Sequence, residues 1–113
     1  MIETIVLEHL TNSLEVPCYM EVPEEVEGKF VVIMKTGASV VDHISRASIA
    51  VQSYADTLYE AALLSQSVRK AMESIVTHGM VFRCSLNAEY NHTDTRTKRY
   101  RYQALFNLTF KDI

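Results

Sequence analysis

The chain has 113 residues, of which 48% are hydrophobic and 22% charged, with three Gly, two Pro and a formal net charge of −3. That length suits one domain (residues 1–113) able to bury roughly two-thirds of the surface its unfolded form exposes. The composition is that of an ordinary globular protein without low-complexity linkers, and the charge gives no reason to expect nucleic-acid wrapping or membrane attraction.

No apolar run approaches the roughly 18 residues that span a bilayer. The opening Met1-Ile2-Glu3-Thr4 puts acid where a secretory signal carries base, so synthesis in the cytoplasm is expected. Cys18 and Cys84 lie far apart without metal-ligand spacing. In a reducing compartment they read as free, small apolar core residues.

Residues 2–14 place Ile2, Ile5, Val6, Leu10 and Leu14 near helical spacing, which predicts a short amphipathic helix ending before Pro17. Cys18 to Val22 reads as a short strand closed by Pro23, and Glu24, Glu25, Glu27 and Gly28 as an acidic turn. Phe30 to Met34, within a strand over 29–36, is apolar on both phases and predicts a central strand covered on both sides. Either a helix and a loop cover it, or its second side meets another subunit. Gly37-Ala38 marks a break, followed by a strand over 40–54. Ala47, Ile49 and Val51 share one face of that strand, and Arg46, Ser48, Ala50 and Gln52 the other. The Asp42-His43 pair near its start has no nucleophile at a recognisable spacing and reads as a surface turn.

Residues 57–76 predict the main helix. Thr57 is its N-cap and Glu60 the capping-box partner. Leu58, Ala61, Ser65, Val68, Met72 and Ile75 form its core stripe, and Gly79 ends the connection.

Two alternating segments follow. Met80, Phe82, Cys84, Leu86, Ala88 and Tyr90 form the apolar phase of residues 80–90; Tyr100, Tyr102, Ala104, Phe106, Leu108 and Phe110 form that of 98–110. Alternation of this length predicts an antiparallel hairpin with one buried face. Setting Tyr90 against Tyr100 pairs Leu86 with Ala104, Cys84 with Phe106 and Glu89 with Arg101, mostly large against small. The predicted architecture is α+β and two-layer, a largely antiparallel sheet whose long C-terminal hairpin packs against two helices, in the order α-β-β-β-α-β-β.

The residues themselves point to no chemistry. His9, His43, His78 and His92 are scattered, and no phosphate-binding Gly loop, nucleophile elbow or carboxylate pair occurs. No enzyme activity, metal or cofactor is therefore expected. Arg96, Lys98, Arg99 and Arg101 surround the hairpin tip, either as a solvated loop that discourages edge pairing or as a contact for an acidic partner. Tyr90, Tyr100 and Tyr102 lie on the apolar phase and read as core.

Two segments carry a resemblance. Arg46-Ala47-Ser48-Ile49-Ala50-Val51-Gln52-Ser53-Tyr54-Ala55-Asp56-Thr57 runs into an Ala-rich helix. Asn87-Ala88-Glu89-Tyr90-Asn91 leads through Thr93-Asp94-Thr95 to Arg99-Tyr100-Arg101-Tyr102-Gln103-Ala104. Over the last three-quarters of its length the chain resembles the tail-completion (tail-terminator, head–tail joining) proteins of long-tailed phages and prophages.

The resemblance implies a structural virion protein at the head-proximal end of the tail. It would form a hexameric ring that caps the tail tube, ends its polymerisation and joins it to the head connector. The implied partners are copies of itself, the major tail tube protein and the head-connector protein. DNA would pass through without sequence-specific binding, and no membrane is involved. On this reading Asp42, His43 and Arg46, and at the tip Asp94, Arg96, Lys98 and Arg99, are subunit or tube contacts. The acidic turn Glu24, Glu25 and Glu27 would face the lumen. The competing reading is a small cytoplasmic adaptor that binds one protein partner through the hairpin.

Overall fold

A computed structural model describes residues 1–25, 27–96 and 99–111. The chain runs α1 (Ile2–Ser13), β1 (Cys18–Tyr19), β2 (Phe30–Val41), β3 (Ile44–Ala55), α2 (Leu58–Glu73), a 3-10 turn (Ser74–His78), β4 (Val81–Asn91) and β5 (Tyr100–Lys111). The expected order and the α+β architecture both hold. The strands form one sheet in the order β1-β2-β3-β5-β4. β1 is parallel to β2, and every other neighbouring pair is antiparallel.

Both helices lie on one side of this sheet. Thr57 caps α2 by accepting a hydrogen bond from the Glu60 amide at 3.1 Å, which satisfies one of the amides a helix start leaves without a partner. Ala61, Ser65, Val68 and Met72 are buried along the helix, all at 0% exposure, so α2 lies close against β3 and β5. Leu58, assigned to that stripe by spacing, is 39% exposed because the first turn overhangs the sheet. The core joins Val6 and Leu10 of α1, Ile33 of β2, Ile49 and Val51 of β3, and Phe106 and Leu108 of β5. Fully burying each such side chain contributes roughly 1.5–3 kcal/mol.

The region read as a break at Gly37-Ala38 is continuous strand. β2 runs on to Val41, with an irregularity between Lys35 and Gly37, and turns at Asp42-His43 into β3. Val40 and Val41 therefore belong to β2, and β3 starts only at Ile44. The two turn residues have φ of 51° and 66°. This left-handed pair is what a two-residue hairpin requires, although Asn-Gly usually supplies it. Replacing Asp42-His43 with Asn-Gly should relieve that strain and stabilise the fold by about 1 kcal/mol, read as a higher urea midpoint at unchanged m.

The predicted register of the last hairpin is not the one formed. Tyr90 pairs with Gln103, Leu86 with Phe106 and Cys84 with Leu108, with register shifts at Phe82 and at Asn87. Each bulge inserts a residue and reverses which side of the sheet the next residues take. Hence Val81 is buried and Phe82 is 56% exposed, the opposite of the alternation read from sequence. Beyond Asn87, Glu89 sits opposite Ala104 on the helix side rather than opposite Arg101. Ala88 and Tyr90 turn to the other side. In β5 the alternation holds, with Ala104, Phe106 and Leu108 buried.

Candidate functional site

The helices leave the second side of the sheet bare, and the exposed chemistry collects there and at the two ends of the strands. At one end, Asp42 and His43 form the β2–β3 turn, with Arg46 exposed just beyond it. Val40, Val41 and Ile44 flank the turn at 57%, 64% and 43% exposure. At the other end lies the β4–β5 tip, where Asp94 and Arg99 form an isolated antiparallel bridge. The Asp94 carboxylate accepts from the Arg96 amide at 3.0 Å and lies 3.7 Å from Arg96 Nε. That shapes the turn yet leaves the Arg96 side chain 91% exposed. Lys98, the remaining tip residue of interest, lies outside the described residues. The contact residues expected from sequence therefore fall at opposite ends of the sheet.

Glu24, Glu25 and Glu27 are exposed in the connection between β1 and β2. Glu27 lines a cleft of about 570 Å³ together with Phe30, Tyr54, Asp56 and Arg99. The acidic turn and the base of the basic tip thus share one end of the molecule.

The floor of that cleft continues into a polar chain. Phe30 stacks on Tyr54 with ring centroids 4.5 Å apart, and Tyr19 packs edge-on to Phe30. With Val32 these rings form a small second core on the helix-free side. On this side Phe30 and Val32 of β2 are thus covered by Tyr19 and Tyr54, whereas Met34 is exposed. Arg101 lies over the Tyr54 ring at 5.6 Å and donates to its hydroxyl at 3.0 Å. Tyr54 donates to Gln52 Oε1 at 3.4 Å, Gln52 to Gln103 Oε1 at 2.8 Å, and Gln103 to the Tyr90 hydroxyl at 2.6 Å. Every donor points the same way, so the bonds reinforce one another. The chain holds β3, β5 and β4 in register and keeps buried Gln52 satisfied. Tyr90 and Tyr100, expected in the core, are instead 39% and 37% exposed, because the Asn87 bulge and the tip turn carry them out of it. The polar phase that sequence reading gave to Gln52 and Gln103 was the available signal for this network.

On the helix side, Glu89 accepts from Ser65 Oγ at 2.6 Å and from Arg69 Nη1 at 3.2 Å. This pins edge strand β4 to α2. His9, 8% exposed, approaches the Ala71 carbonyl at 2.6 Å through Nε2, and the His78 ring nitrogen lies 3.2 Å from its Nδ1. Since a carbonyl only accepts, His9 Nε2 donates to Ala71. The pair bolts α1 to the end of α2. Among the described residues, no group of three His, Cys, Asp or Glu is placed to hold a metal ion.

Both cysteines are free and half-buried. Burial pushes the Cys84 thiol up to about 11, and it raises Cys18 as well, against a smaller opposing hydrogen bond from Thr11. Neither has the lowered pKa of a reactive nucleophile. No described helix is long and apolar enough to cross a membrane.

What remains open is the pair of sheet edges. β1 covers β2 only at Val31 and Val32. From Met34 to Val41 the outer edge of β2 has no neighbour among the described residues, and neither has that of β4. Met34, Val40 and Val41 are exposed on one edge, and Phe82, Leu86 and Tyr90 on the other.

No protein-family model matches the chain, and no curated protein matches its sequence.

Proposed function

We propose that this chain is a structural subunit that closes with copies of itself into a hexameric ring at the head-proximal end of a long-tailed phage or prophage tail. The ring caps the tail tube, ends its polymerisation and joins the tail to the head connector. It is made in the host cytoplasm and ends in the virion, with DNA passing through without sequence-specific contact. The observation that carries this reading is the pair of unlike open edges on a single sheet. A free edge is normally shortened or covered because it templates pairing, yet this sheet has two long ones with exposed apolar residues on each. Two different surfaces that complement each other make a heterologous contact, and a heterologous contact that closes is a ring.

Glu27 and Arg99 line one cleft of the same chain, so the acidic turn and the base of the tip act from one end of the subunit. The β2–β3 turn, with Asp42, His43 and Arg46 at the opposite end, is left to meet the tube or the connector. Replacing both Arg96 and Arg99 with Glu should leave the monomer folded by circular dichroism while head–tail joining is lost in a complementation assay. Joining at the normal level would remove the tip from the contact. Genes for portal, connector and major tail proteins beside this one would support the reading. A catabolic or regulatory neighbourhood would support the adaptor.

A further inference from the structure

The side of the sheet away from the helices is sorted by charge along the strands. At the end nearest the tip, Arg101 is held over Tyr54. At the other end, Arg46 and Arg83 stand on either side of Thr109 in one row across β3, β5 and β4. Two strand spacings put their Cα atoms about 10 Å apart. Lys111 follows Thr109 on this side of β5, about 7 Å further along, and pairs with Ile44. All three cations are exposed. The ion pairs of Lys35 with Glu3, Arg69 with Glu89 and Arg96 with Asp94 leave them out. Among the described residues, no Asp or Glu occupies a strand position on this side. Over the whole chain acids outnumber bases by 14 to 11, so a positive end is set into an acidic molecule. Asp42 of the turn offsets part of that charge and leaves an excess.

The surface between these cations is low. Gly37, Ser39 and Ser48 have little or no side chain, and with Asn107 they line a trough of about 430 Å³ that Arg46 borders. Ser48 donates to Asn107 Oδ1 at 3.2 Å, which ties two of the trough's polar groups to each other. A carboxylate entering the trough meets Arg46, whose planar fork can hold it with two hydrogen bonds. Val41 and Ile44 lie beyond the arginine row on the same side, at 64% and 43% exposure. Arginine around an apolar centre is the composition of a protein–protein contact. A duplex backbone would give Val41 and Ile44 nothing to bury against, and the net charge of −3 repels a polyanion at a distance.

We propose that this end of the helix-free side docks an acidic protein surface, whose carboxylates pair with Arg46, Arg83 and Lys111 while its apolar centre covers Val41 and Ile44. The proposal rests on the ring reading and adds the chemistry of the partner met at the β2–β3 end.

The test uses the full chain and fluorescein-labelled poly-L-glutamate, with binding read as anisotropy. Arg46→Glu with Arg83→Glu should weaken binding about tenfold or more, and Arg96→Glu with Arg99→Glu at the tip less than about twofold. All four residues lie on the surface, and circular dichroism should show each variant folded. Raising the salt should weaken binding to the unaltered chain. Loss of binding through the tip pair alone, or no binding by the unaltered chain, would overturn the proposal. Tighter binding of a duplex DNA of equal charge, lost with Arg46→Glu and Arg83→Glu, would make the surface a nucleic-acid site and would also overturn it. A peptide alternating Glu and Leu should bind more tightly than poly-L-glutamate, and Ile44→Ser should remove the gain; no gain would overturn the apolar centre. Rings seen in micrographs of a chain that binds no poly-L-glutamate would overturn this surface and leave the ring standing. Binding by a chain that stays a closed dimer would overturn the ring and leave the surface.

Discussion

Ile49→Ala is expected to destabilise the protein by about 2–5 kcal/mol, the range for emptying a buried aliphatic site that cannot collapse. Ile49 is 0% exposed and sits in the middle of β3, in the row that joins Lys35, Phe106 and Leu86 across the sheet. Its neighbours are held by α2 on one side and two strands on the other, so little can move in to fill the space. A loss near the top of that range would take away much of the 5–15 kcal/mol that holds a domain folded. Urea unfolding should show a lower midpoint at constant m. A change below about 1 kcal/mol would mean that the site relaxes and that the core is looser than its burial implies.

Glu89→Ala should cost about 1–3 kcal/mol, unusual for a carboxylate on an edge strand. Exposed ion pairs are worth little, and by sequence phase Glu89 belonged on the wet side. The bulge at Asn87 turns it under α2, where it accepts from Ser65, a residue at 0% exposure. Removing it leaves the Ser65 hydroxyl without its acceptor and Arg69 without its ion pair. Adding Ser65→Ala to Glu89→Ala should restore part of the loss, since an absent hydroxyl needs no partner. Hydrogen exchange should rise mainly in β4, the strand this carboxylate ties down. Behaviour like that of an ordinary surface substitution would contradict the bulge.

Segments where each residue's side of the sheet follows from local spacing were legible in the sequence. α2 was read from its cap and apolar stripe, and β5 from an alternation that runs unbroken through Ala104, Phe106 and Leu108. β4 was not, because its bulges at Phe82 and Asn87 carry no Gly and reset the phase twice. The boundary between β2 and β3 was misplaced for a related reason, although Asp42-His43 was read as a surface turn. Gly37 looks like punctuation but lies inside a strand, whereas the real turn uses Asp42 and His43 in a conformation that Gly normally signals. Contacts across the fold had no local signal at all. His9 and His78 are brought together only by α1 crossing the end of α2, and the cleft shared by Glu27 and Arg99 needs the sheet order to exist. Which strands would be left as edges likewise depends on β5 inserting between β3 and β4. Pairs distant in sequence can specify such an order, but periodicity cannot.

The central claim is that the chain assembles through two unlike edges into a closed ring. The most direct measurement is the solution mass of the purified protein over a wide concentration range, with electron micrographs of the same samples. The account predicts that the 12.9 kDa chain gives way, as concentration rises, to a single larger species that appears in the micrographs as a six-subunit annulus. A stable closed dimer that grows no further at any concentration would contradict it, and would point to an adaptor that pairs through one face.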